Sequence, residues 1–325
     1  MNKIKPKQKK VTIFDVAKEA GVSYSTVSRV VNDFHYVKPE TRERVQEVMD
    51  RLGYVVNLKA RSLAGGRSQM LGLLLYDFET SYQIEIVRGI DAEASDLDYD
   101  LTLYTTHHRR RKESTLVAKL IQGLVDGLLI VLPRNLEAYL EDLDRQSFPY
   151  VLIDHASTAA SNTVKANNWD GSFAATTYLA GLGHRRIGFV QGVMAVDSAK
   201  ERLAGYEAAL KEQGISIEAA LIQPGDFTWE AGYDAATTLL ALAQPPTAVI
   251  ASSDVCAIGV IEGLLAQGRR VPEDVSVMGF DDIPEAATIR PSLTTTAPLE
   301  IKPTSCMAAP RFGASLAHVT TCAAL

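Results

Sequence analysis

Apolar residues near the start of the chain recur at the three- and four-residue spacing of helices in three short stretches. These apolar positions are Val16, Ala17 and Ala20, then Val27, Val30 and Val31, and then Val45, Val48, Met49 and Leu52. Thr12 and Asp15 fit a capping box at the start of the first stretch, and Gly21 allows a tight turn at its end. Ser23 is placed to cap the second stretch, and Pro39 suits the first turn of the third. Two short helices around a glycine turn, with a third behind them, predict a helix-turn-helix domain.

From residue 68 onward the pattern changes to short, continuous apolar runs separated by amphipathic helical stretches. The runs are Leu71–Tyr76, Leu101–Tyr104, Gly127–Leu132, Tyr150–Asp154, Arg186–Val190, Ala248–Ala251 and Val275–Phe280. Strands that are apolar throughout are buried on both faces, which is typical of parallel sheets covered by helices. The chain is therefore predicted to be an α/β protein that carries an N-terminal all-α head.

The composition fits this architecture, because 46% of the 325 residues are hydrophobic and 22% are charged, as in soluble globular proteins. No run approaches the roughly 18 consecutive apolar residues that span a membrane. The lysine-rich N-terminus lacks the apolar segment of a secretory signal. The 3 Cys include no C-x-x-C pair, so neither a disulfide framework nor a metal site is indicated. A cytoplasmic, nucleoid-associated location without a membrane partner is expected.

Charge is distributed unevenly along the chain, although the formal net charge is only -6. Residues 1–67 contain 14 Lys and Arg against 7 Asp and Glu, whereas the remaining residues contain 19 against 32. A basic head on an acidic body indicates that the head meets a polyanion. The lysines before residue 11 would by themselves fit a solvated tail, so the helix-turn-helix pattern is what favours DNA as the partner.

Six short motifs stand in order along the first part of the chain. They are Thr12–Ala17 (TIFDVA), Gly21–Ser23 (GVS), Thr26–Asn32 (TVSRVVN), Pro39–Arg42 (PETR), Leu52–Tyr54 (LGY) and Ala60–Leu63 (ARSL). Together they resemble the lactose-repressor (LacI/GalR) family of transcription regulators. The resemblance extends from residue 11 to about residue 299.

The resemblance implies how the head contacts double-stranded operator DNA. It places Tyr24, Ser25 and Arg29 where a recognition helix meets base edges, and the Arg29 guanidinium is able to bond guanine O6 and N7 together. Other positions are interpreted as phosphate contacts or helix caps, and they are Thr12, Ser23, Thr26, Ser28 and Asn32. For Ser23 the cap is the primary interpretation.

The segment Ala60–Leu63 resembles the hinge helix of the family, which also contacts DNA. The resemblance implies that Leu63 enters the minor groove as an apolar wedge between base steps. Arg61 then follows the groove or a phosphate, and Ala60 belongs to the same contacting segment. Gly65 and Gly66 provide a flexible joint to the body.

For the body, the resemblance implies two Rossmann-like subdomains of the periplasmic-binding-protein type. The head is predicted at residues 1–56, the hinge and linker at 57–67, and the effector-binding domain at 68–325. The first subdomain comprises about 68–164 with 296–302, and the second comprises about 165–295. The chain is expected to cross between them near 163–165 and 292–296.

Ligands bind beyond the C-terminal ends of the strands in such sheets, and here those ends are polar and interleaved with aromatic residues. Carboxylates and an arginine around aromatic faces suit a polyhydroxylated ring, so a sugar is the expected effector. The resemblance implies effector contacts at Arg202, Phe227, Asp254 and Asp281, and also at Tyr82 and Asp77, and Asp154 is a further candidate at a strand end. For each aspartate the competing interpretation is a helix N-cap. Contact is favoured for Asp254 and Asp281, while the two interpretations are balanced for Asp154 and Asp77.

Two further residues of this region, Arg202 and Trp229, are considered by their place on predicted helices. Arg202 is expected at the start of a helix, in the stretch Glu201–Tyr206. Trp229 fits either stacking on a sugar or packing at a helix start.

Two departures from the family pattern affect the predicted switch. The chain has Asn167–Asn168 where the family usually has Asp-Asn before a helix, which removes a charge near the first crossing. No Asp or Glu occurs after Glu300, and Pro303 and Pro310 interrupt any helix there. Residues 303–325 are therefore predicted to be an atypical, poorly ordered tail that impairs effector switching.

Three weaker signals are interpreted structurally. Gly181–Gly183 begins a G-x-G motif but has no third glycine in place, so a dinucleotide site is rejected. The run His107–Lys112 fits a solvated loop better than a phosphate site, since no glycine-rich segment accompanies it. Cys256 fits the role of a small core residue.

Among function classes, an enzyme would need a paired acid and base. The main alternative, a sugar-binding protein of transport or chemotaxis type without DNA function, would need a signal peptide and would have no DNA-binding head. Neither the acid–base pair nor the signal peptide is identifiable. The sequence predicts a transcription regulator, favoured as a repressor, with no catalytic residues and no cofactor. Its partners are operator DNA, a small-molecule effector and a second copy of itself, as a homodimer or a tetramer.

Overall fold

The computed structural model describes residues 11–32, 36–54, 68–78, 80–106, 110–133, 136–155 and 162–296. The chain divides into two compact units, one comprising the residues up to 70 together with 118–126 and the other comprising the rest. The predicted hinge segment Ala60–Leu63 and the atypical tail 303–325 lie outside the described residues.

Within its described residues, the head contains three helices, α1 (Ile13–Ala20), α2 (Tyr24–Val31) and α3 (Pro39–Leu52). The predicted capping box is confirmed: the Thr12 N–H donates to Asp15 Oδ2 at 2.8 Å, and the Asp15 N–H donates to Thr12 Oγ1 at 3.4 Å. Gly21 ends α1 with a φ of 66°, a left-handed conformation that glycine adopts without steric cost.

The apolar stripes of the three helices meet in one small core. Val16, Val27 and Val45 are fully buried, one from each helix. Burying a valine side chain contributes about 1.5–3 kcal/mol, so these residues fix the relative positions of the helices. Val31 and Leu52 lie at the edge of this core and are half-buried.

The first sheet of the body is parallel wherever its pairing is defined and has the strand order β2-β1-β3-β4-β5. Its strands are β1 (Met70–Leu75), β2 (Asp100–Thr105), β3 (Gly127–Val131), β4 (Tyr150–Ile153) and β5 (Thr163–Val164). The connecting helices are α4 (Ser81–Asp96), α5 (Arg110–Leu120) and α6 (Glu137–Arg145).

The second sheet is also parallel, with the order β7-β6-β8-β9. Its strands are β6 (Ile187–Val190), β7 (Ile222–Gln223), β8 (Ala248–Ala251) and β9 (Ser276–Met278). Its helices are α7 (Asn168–Gly181), α8 (Asp197–Glu212), α9 (Trp229–Leu240), α10 (Asp254–Ala266) and α11 (Pro284–Thr288).

Strand β8 shows why the apolar runs are continuous. Ala248 and Ile250 pack with α7 and α8, whereas Val249 and Ala251 pack with α9 and α10. Successive side chains of a strand point to opposite faces, so a sheet covered on both faces needs an apolar residue at every position. The prediction of helix-covered parallel sheets is confirmed.

All seven apolar runs fall on strands, with ends that differ by no more than two residues. The sequence pattern missed β5 and β7, which have 2 residues each. A segment of that length has no period to detect.

The chain passes from the first sheet to the second between Val164, the end of β5, and Asn168, the start of α7. A second segment, residues 294–296, lies beside β9. Thr294 pairs with Met278, and the Asp281 N–H donates to the Thr296 carbonyl at 3.1 Å. Asp154, which follows β4, contacts the first of these segments through the Ala166 N–H, and Asp281, which follows β9, contacts the second.

Candidate DNA-contacting helix and ligand site

Helix α2 separates its residues by chemistry across its two faces. Val27 and Val30 are buried against the head core, whereas Tyr24 and Arg29 are exposed. Ser25 is half-buried near the start of the helix. The outer face therefore presents a hydroxyl, a phenol and a guanidinium, which are hydrogen-bonding groups that read base edges.

The start of α2 is rich in hydroxyl groups and contains no acidic residue in its first turn. Ser23 caps the helix as predicted, since its Oγ accepts from the Thr26 N–H at 3.2 Å. The Ser23 hydroxyl also shares hydrogen bonds with Ser25 Oγ at 2.7 Å and with Thr26 Oγ1 at 2.9 Å. A helix N-terminus attracts anions, so this cluster suits a DNA phosphate.

The remaining candidate DNA contacts have local partners or lie outside the described residues. The Thr12 hydroxyl donates to Asp15 Oδ2 at 2.7 Å, and Asn32 Nδ2 donates to the Ser28 carbonyl at 2.8 Å. Three candidates are outside the described residues, and they are Ala60, Arg61 and Leu63. None of these DNA assignments is tested by the structure, and they stay predictions.

In the body, Arg202 is the centre of a buried polar cluster. It lies in the second turn of α8, not at the helix start as the sequence suggested, because α8 begins earlier, at Asp197. Its Nε donates to Asn168 Oδ1 at 2.8 Å, and its Nη1 donates to the Ser252 carbonyl. The guanidinium lies over the Phe280 ring, 3.7 Å from the ring centroid. These contacts fix the orientation of an arginine side chain that is only 4% exposed.

Asp281 pairs with this arginine at the C-terminal end of β9. Its Oδ1 lies 3.1 Å from Arg202 Nη1, yet this buried oxygen has no partner in hydrogen-bonding geometry. Burial raises the pKa of Asp281 to about 7, the Arg202 charge lowers it, and the charges of Asp254 and Asp154 raise it. The carboxylate therefore keeps an acceptor for a further hydrogen bond.

Tyr82 of α4 and Asp154, which follows β4, contribute to the same cluster. The Tyr82 hydroxyl donates to Asp154 Oδ2. Burial raises the pKa of Tyr82 well above 10, and the charges of Asp154 and Asp281 act in the same direction. The charges of both Asp281 and Arg202 act on Tyr82, so the structure brings Tyr82, Asp154, Arg202 and Asp281 together.

Phe227 provides an aromatic side to the cluster. The Arg202 guanidinium lies 5.8 Å from the Phe227 ring centroid. The ring lies directly on Gly192, where a Cβ atom would come within 2.1 Å of it. Phe227 has a φ of 71°, a left-handed conformation that is strained for a large side chain. Asp154 and Asp281 also have positive φ, at 55° and 119°, and such strain concentrates at functional sites.

Asp254 is held by the backbone that carries Asp281. It is fully buried, and its carboxylate accepts from the Ile283 N–H at 2.9 Å and from Thr295 Oγ1 at 2.5 Å. The N-cap of α10 is Ser253, so Asp254 does not act as the helix cap. It binds the loop after β9, and its contact with an effector stays untested.

Two other candidates stand beside this cluster. Asp77 is buried after the end of β1, and its role also stays a prediction. Trp229 stacks on Tyr233 with ring centroids 5.1 Å apart, which favours packing at the start of α9. Cys256 is fully buried in the core, as predicted.

Sequence reasoning missed three residues that define the cluster: Asn168, Ser252 and Phe280. Asn168 is 2% exposed, and its Nδ2 donates to Glu201 Oε2 at 3.3 Å. Glu201 in turn pairs with Lys165 at 2.7 Å. The segment between the two sheets is thereby tied to α8 beside Arg202.

A small cavity of about 10 Å³ lies at the ends of β1 and β3. Its polar lining includes Glu113, whose Oε1 accepts from the Tyr139 hydroxyl at 2.5 Å. A cavity of this size has room for about one water molecule, so we assign no ligand to it.

Neither a metal-binding cluster of acidic, histidine and cysteine side chains nor a helix long and apolar enough to cross a membrane occurs within the described ranges.

Comparison with known families matches two regions. Residues 12–57 match the family described as bacterial regulatory proteins, lacI family. Residues 176–299 match the periplasmic binding protein-like domain.

The chain is also similar to curated proteins over most of its length. It is 36% identical to catabolite control protein A of Priestia megaterium over 290 residues, which cover 88% of this chain and 86% of that protein. It is 36% identical to the HTH-type transcriptional repressor PurR of Edwardsiella ictaluri, over 87% of this chain and 84% of the repressor.

Solved structures show the same similarity. The Lac repressor dimer bound to operator and the anti-inducer ONPF matches with a TM-score of 0.78 and 30% identity, covering 88% of this chain and 87% of that one. The complex of the transcriptional regulator CelR with cellobiose matches with a TM-score of 0.62 and 31% identity, covering 92% and 90%.

Proposed function

The chain belongs to the lacI family of bacterial regulatory proteins, and we propose that its head reads an operator whose occupancy is set by a sugar bound in the body. Membership makes it a DNA-binding transcription repressor under the control of a small-molecule effector. We place the DNA-binding domain at 1–56, the hinge at 57–67 and the effector domain from 68 onward. The change from helices to parallel sheets after residue 68 supports this division.

For operator reading, the supporting observation is the exposed face of α2. Tyr24 and Arg29 are exposed opposite the valines that anchor the helix, and Ser25 accompanies them near the N-terminus. A recognition helix reads bases from such a face, while the hydroxyl cluster at Ser23 positions a phosphate. One head covers a half-site, so a homodimer reads a pseudo-palindromic operator.

For the effector, the single observation that carries the proposal is the fixed Arg202 guanidinium. Asn168, Ser252 and Asp281 hold it over the Phe280 ring. Fixed donors and acceptors beside an aromatic face suit the hydroxyls and C–H faces of a sugar. The matched regulator CelR is in complex with cellobiose, which supports a sugar here.

We further propose that the body binds its ligand without converting it. Two observations support this proposal. Within the cluster, Arg202 and Tyr82 are held in contacts with other protein groups. The matched relatives are regulators. Ligand and DNA are then coupled because the ligand binds between segments of both sheets and changes how they close.

The test is a thermal-shift screen of the full chain against neutral monosaccharides and disaccharides, followed by DNA retardation with each compound that stabilises the protein. A ligand that binds the native state raises its stability by mass action. Arg202→Ala should lose this response. If no sugar stabilises the protein at millimolar concentration, the sugar assignment is wrong.

A further inference from the structure

The described groups around Arg202 carry more negative than positive charge. Asp154 and Asp281 interact electrostatically with each other, and Asp254 contributes a third buried carboxylate close to Asp281. Among the charges found to act on Asp281 within the described ranges, Arg202 is the cation. Burial withdraws the water that would stabilise the surplus charge.

Neighbouring groups do not offset this surplus. Burial lowers the pKa of His155 below 6.5, so this side chain is neutral at pH 7. Lys165 is exposed, and its charge is paired with the half-buried Glu201 of α8. Tyr82 donates its hydroxyl proton to Asp154 in a hydrogen bond and contributes no charge, since its pKa is well above 10.

The arginine is also shared with neutral acceptors. Its Nε and Nη1 donate to Asn168 and to the Ser252 carbonyl. Asp281 Oδ1 is buried and forms an ion pair with Arg202 Nη1 at 3.1 Å, but the geometry of a hydrogen bond is not met there. A buried carboxylate oxygen whose hydrogen bonding is incomplete is costly, and a ligand with donor groups lowers that cost.

We propose that this pocket selects a neutral or cationic effector that is rich in hydrogen-bond donors, a neutral sugar or an amino sugar, and rejects phosphorylated and acidic sugars. The inference rests on the proposed function and narrows its ligand class. Hydroxyl or ammonium groups donate to Asp281 and Asp154, whereas a phosphate or carboxylate adds a further negative charge to a pocket that already has a surplus.

The same surplus makes the ligand-free protein sensitive to pH. Burial and the charges of Asp254 and Asp154 raise the pKa of Asp281 from 3.8 to about 7. A raised pKa means that the folded state holds a proton that the unfolded state releases. The resulting stability is present in full below the unfolded-state pKa and is lost as the pH rises through about 7.

The first test needs no ligand. Thermal unfolding of the full chain is compared for the wild type, Asp154→Asn and Asp91→Asn at about pH 5 and about pH 8. Asp91 is an exposed residue of α4, so its variant changes the net charge equally without touching the pocket. Asp154→Asn keeps an acceptor for Tyr82.

At about pH 8, Asp154→Asn should unfold several degrees above both the wild type and Asp91→Asn, and the gain should shrink at about pH 5. An unfolding temperature for Asp154→Asn at or below that of Asp91→Asn at the higher pH would show that no charge surplus exists.

The second test measures ligand class by calorimetry on matched sets: glucose, glucosamine and glucose 6-phosphate, the same three forms of galactose, and cellobiose. Neutral or amino forms should bind at least about tenfold more tightly than phosphorylated forms. Tighter binding of a phosphorylated form overturns the proposal. If no member binds, the proposed sugar function fails, while the comparison of Asp154→Asn with Asp91→Asn still decides the charge surplus.

Discussion

Asn168 accepts a hydrogen bond from Arg202 Nε at 2.8 Å, although 34 residues separate them in the sequence. Asn168 opens α7, directly after the segment that leaves the first sheet. The side chain that orients the central arginine therefore belongs to the connection between the two sheets. A change in how the sheets close would move this connection.

This relationship predicts that Asn168→Ala weakens effector binding. Leaving a buried guanidinium donor without its acceptor costs about 1–3 kcal/mol, so the effector dissociation constant should rise about tenfold. Asn167→Ala is the matched control, because Asn167 contacts the exposed Asp170. Calorimetry with the effector identified by thermal shift measures both. Equal affinities for the two variants would remove Asn168 from the site.

Arg202→Ala should abolish the effector response and leave basal DNA affinity unchanged, since Arg202 contacts the pocket residues of the body. Arg270→Ala serves as the control, because Arg270 pairs with Asp274 on the surface. Operator affinity is measured by fluorescence anisotropy with and without effector. A response to ordinary effector concentrations in Arg202→Ala would refute the assignment of this residue.

Local patterns were readable from the sequence, whereas contacts between distant segments were not. The Thr12–Asp15 capping box spans one turn, and its chemistry is complete within that turn. The partners of Asp254 lie 29 and 41 residues away, at Ile283 and Thr295. No spacing rule reveals whether such a carboxylate meets a ligand or a loop, because packing alone brings these segments together.

Arg29→Ala should weaken operator binding by about 1–3 kcal/mol and relax the preference at one base pair, as expected for loss of a bidentate base contact. Arg51→Ala is the comparison, because this exposed arginine of α3 pairs with Glu19 at 2.9 Å. The Arg51→Ala variant should change the affinity for all DNA sequences by the same factor. Binding to a set of single-base operator variants separates the two outcomes, and an unchanged preference in Arg29→Ala would make the recognition-helix assignment wrong.

Gly259→Ala should destabilise the second sheet region by about 1–3 kcal/mol or more through overpacking. A Cβ at Gly259 would lie 2.0 Å from the Trp229 carbonyl oxygen, so α9 and α10 would have to separate. Gly181→Ala is the matched control at the end of α7, where a Cβ meets nothing within 4 Å. In denaturant unfolding, the free energy of unfolding of Gly259→Ala should lie below that of the wild type. That of Gly181→Ala should lie above it, because alanine favours the helix more than glycine does.

The coupling of the two sites is the central claim, and one paired measurement tests it most directly. Operator affinity is titrated with and without saturating effector, and effector affinity is titrated with and without saturating operator, at one salt concentration and pH. Thermodynamic linkage requires both affinities to change by the same factor, and regulation of this kind typically gives about 5–150-fold. We predict equal factors in that range. An effector that binds the body while leaving operator affinity unchanged would contradict the account.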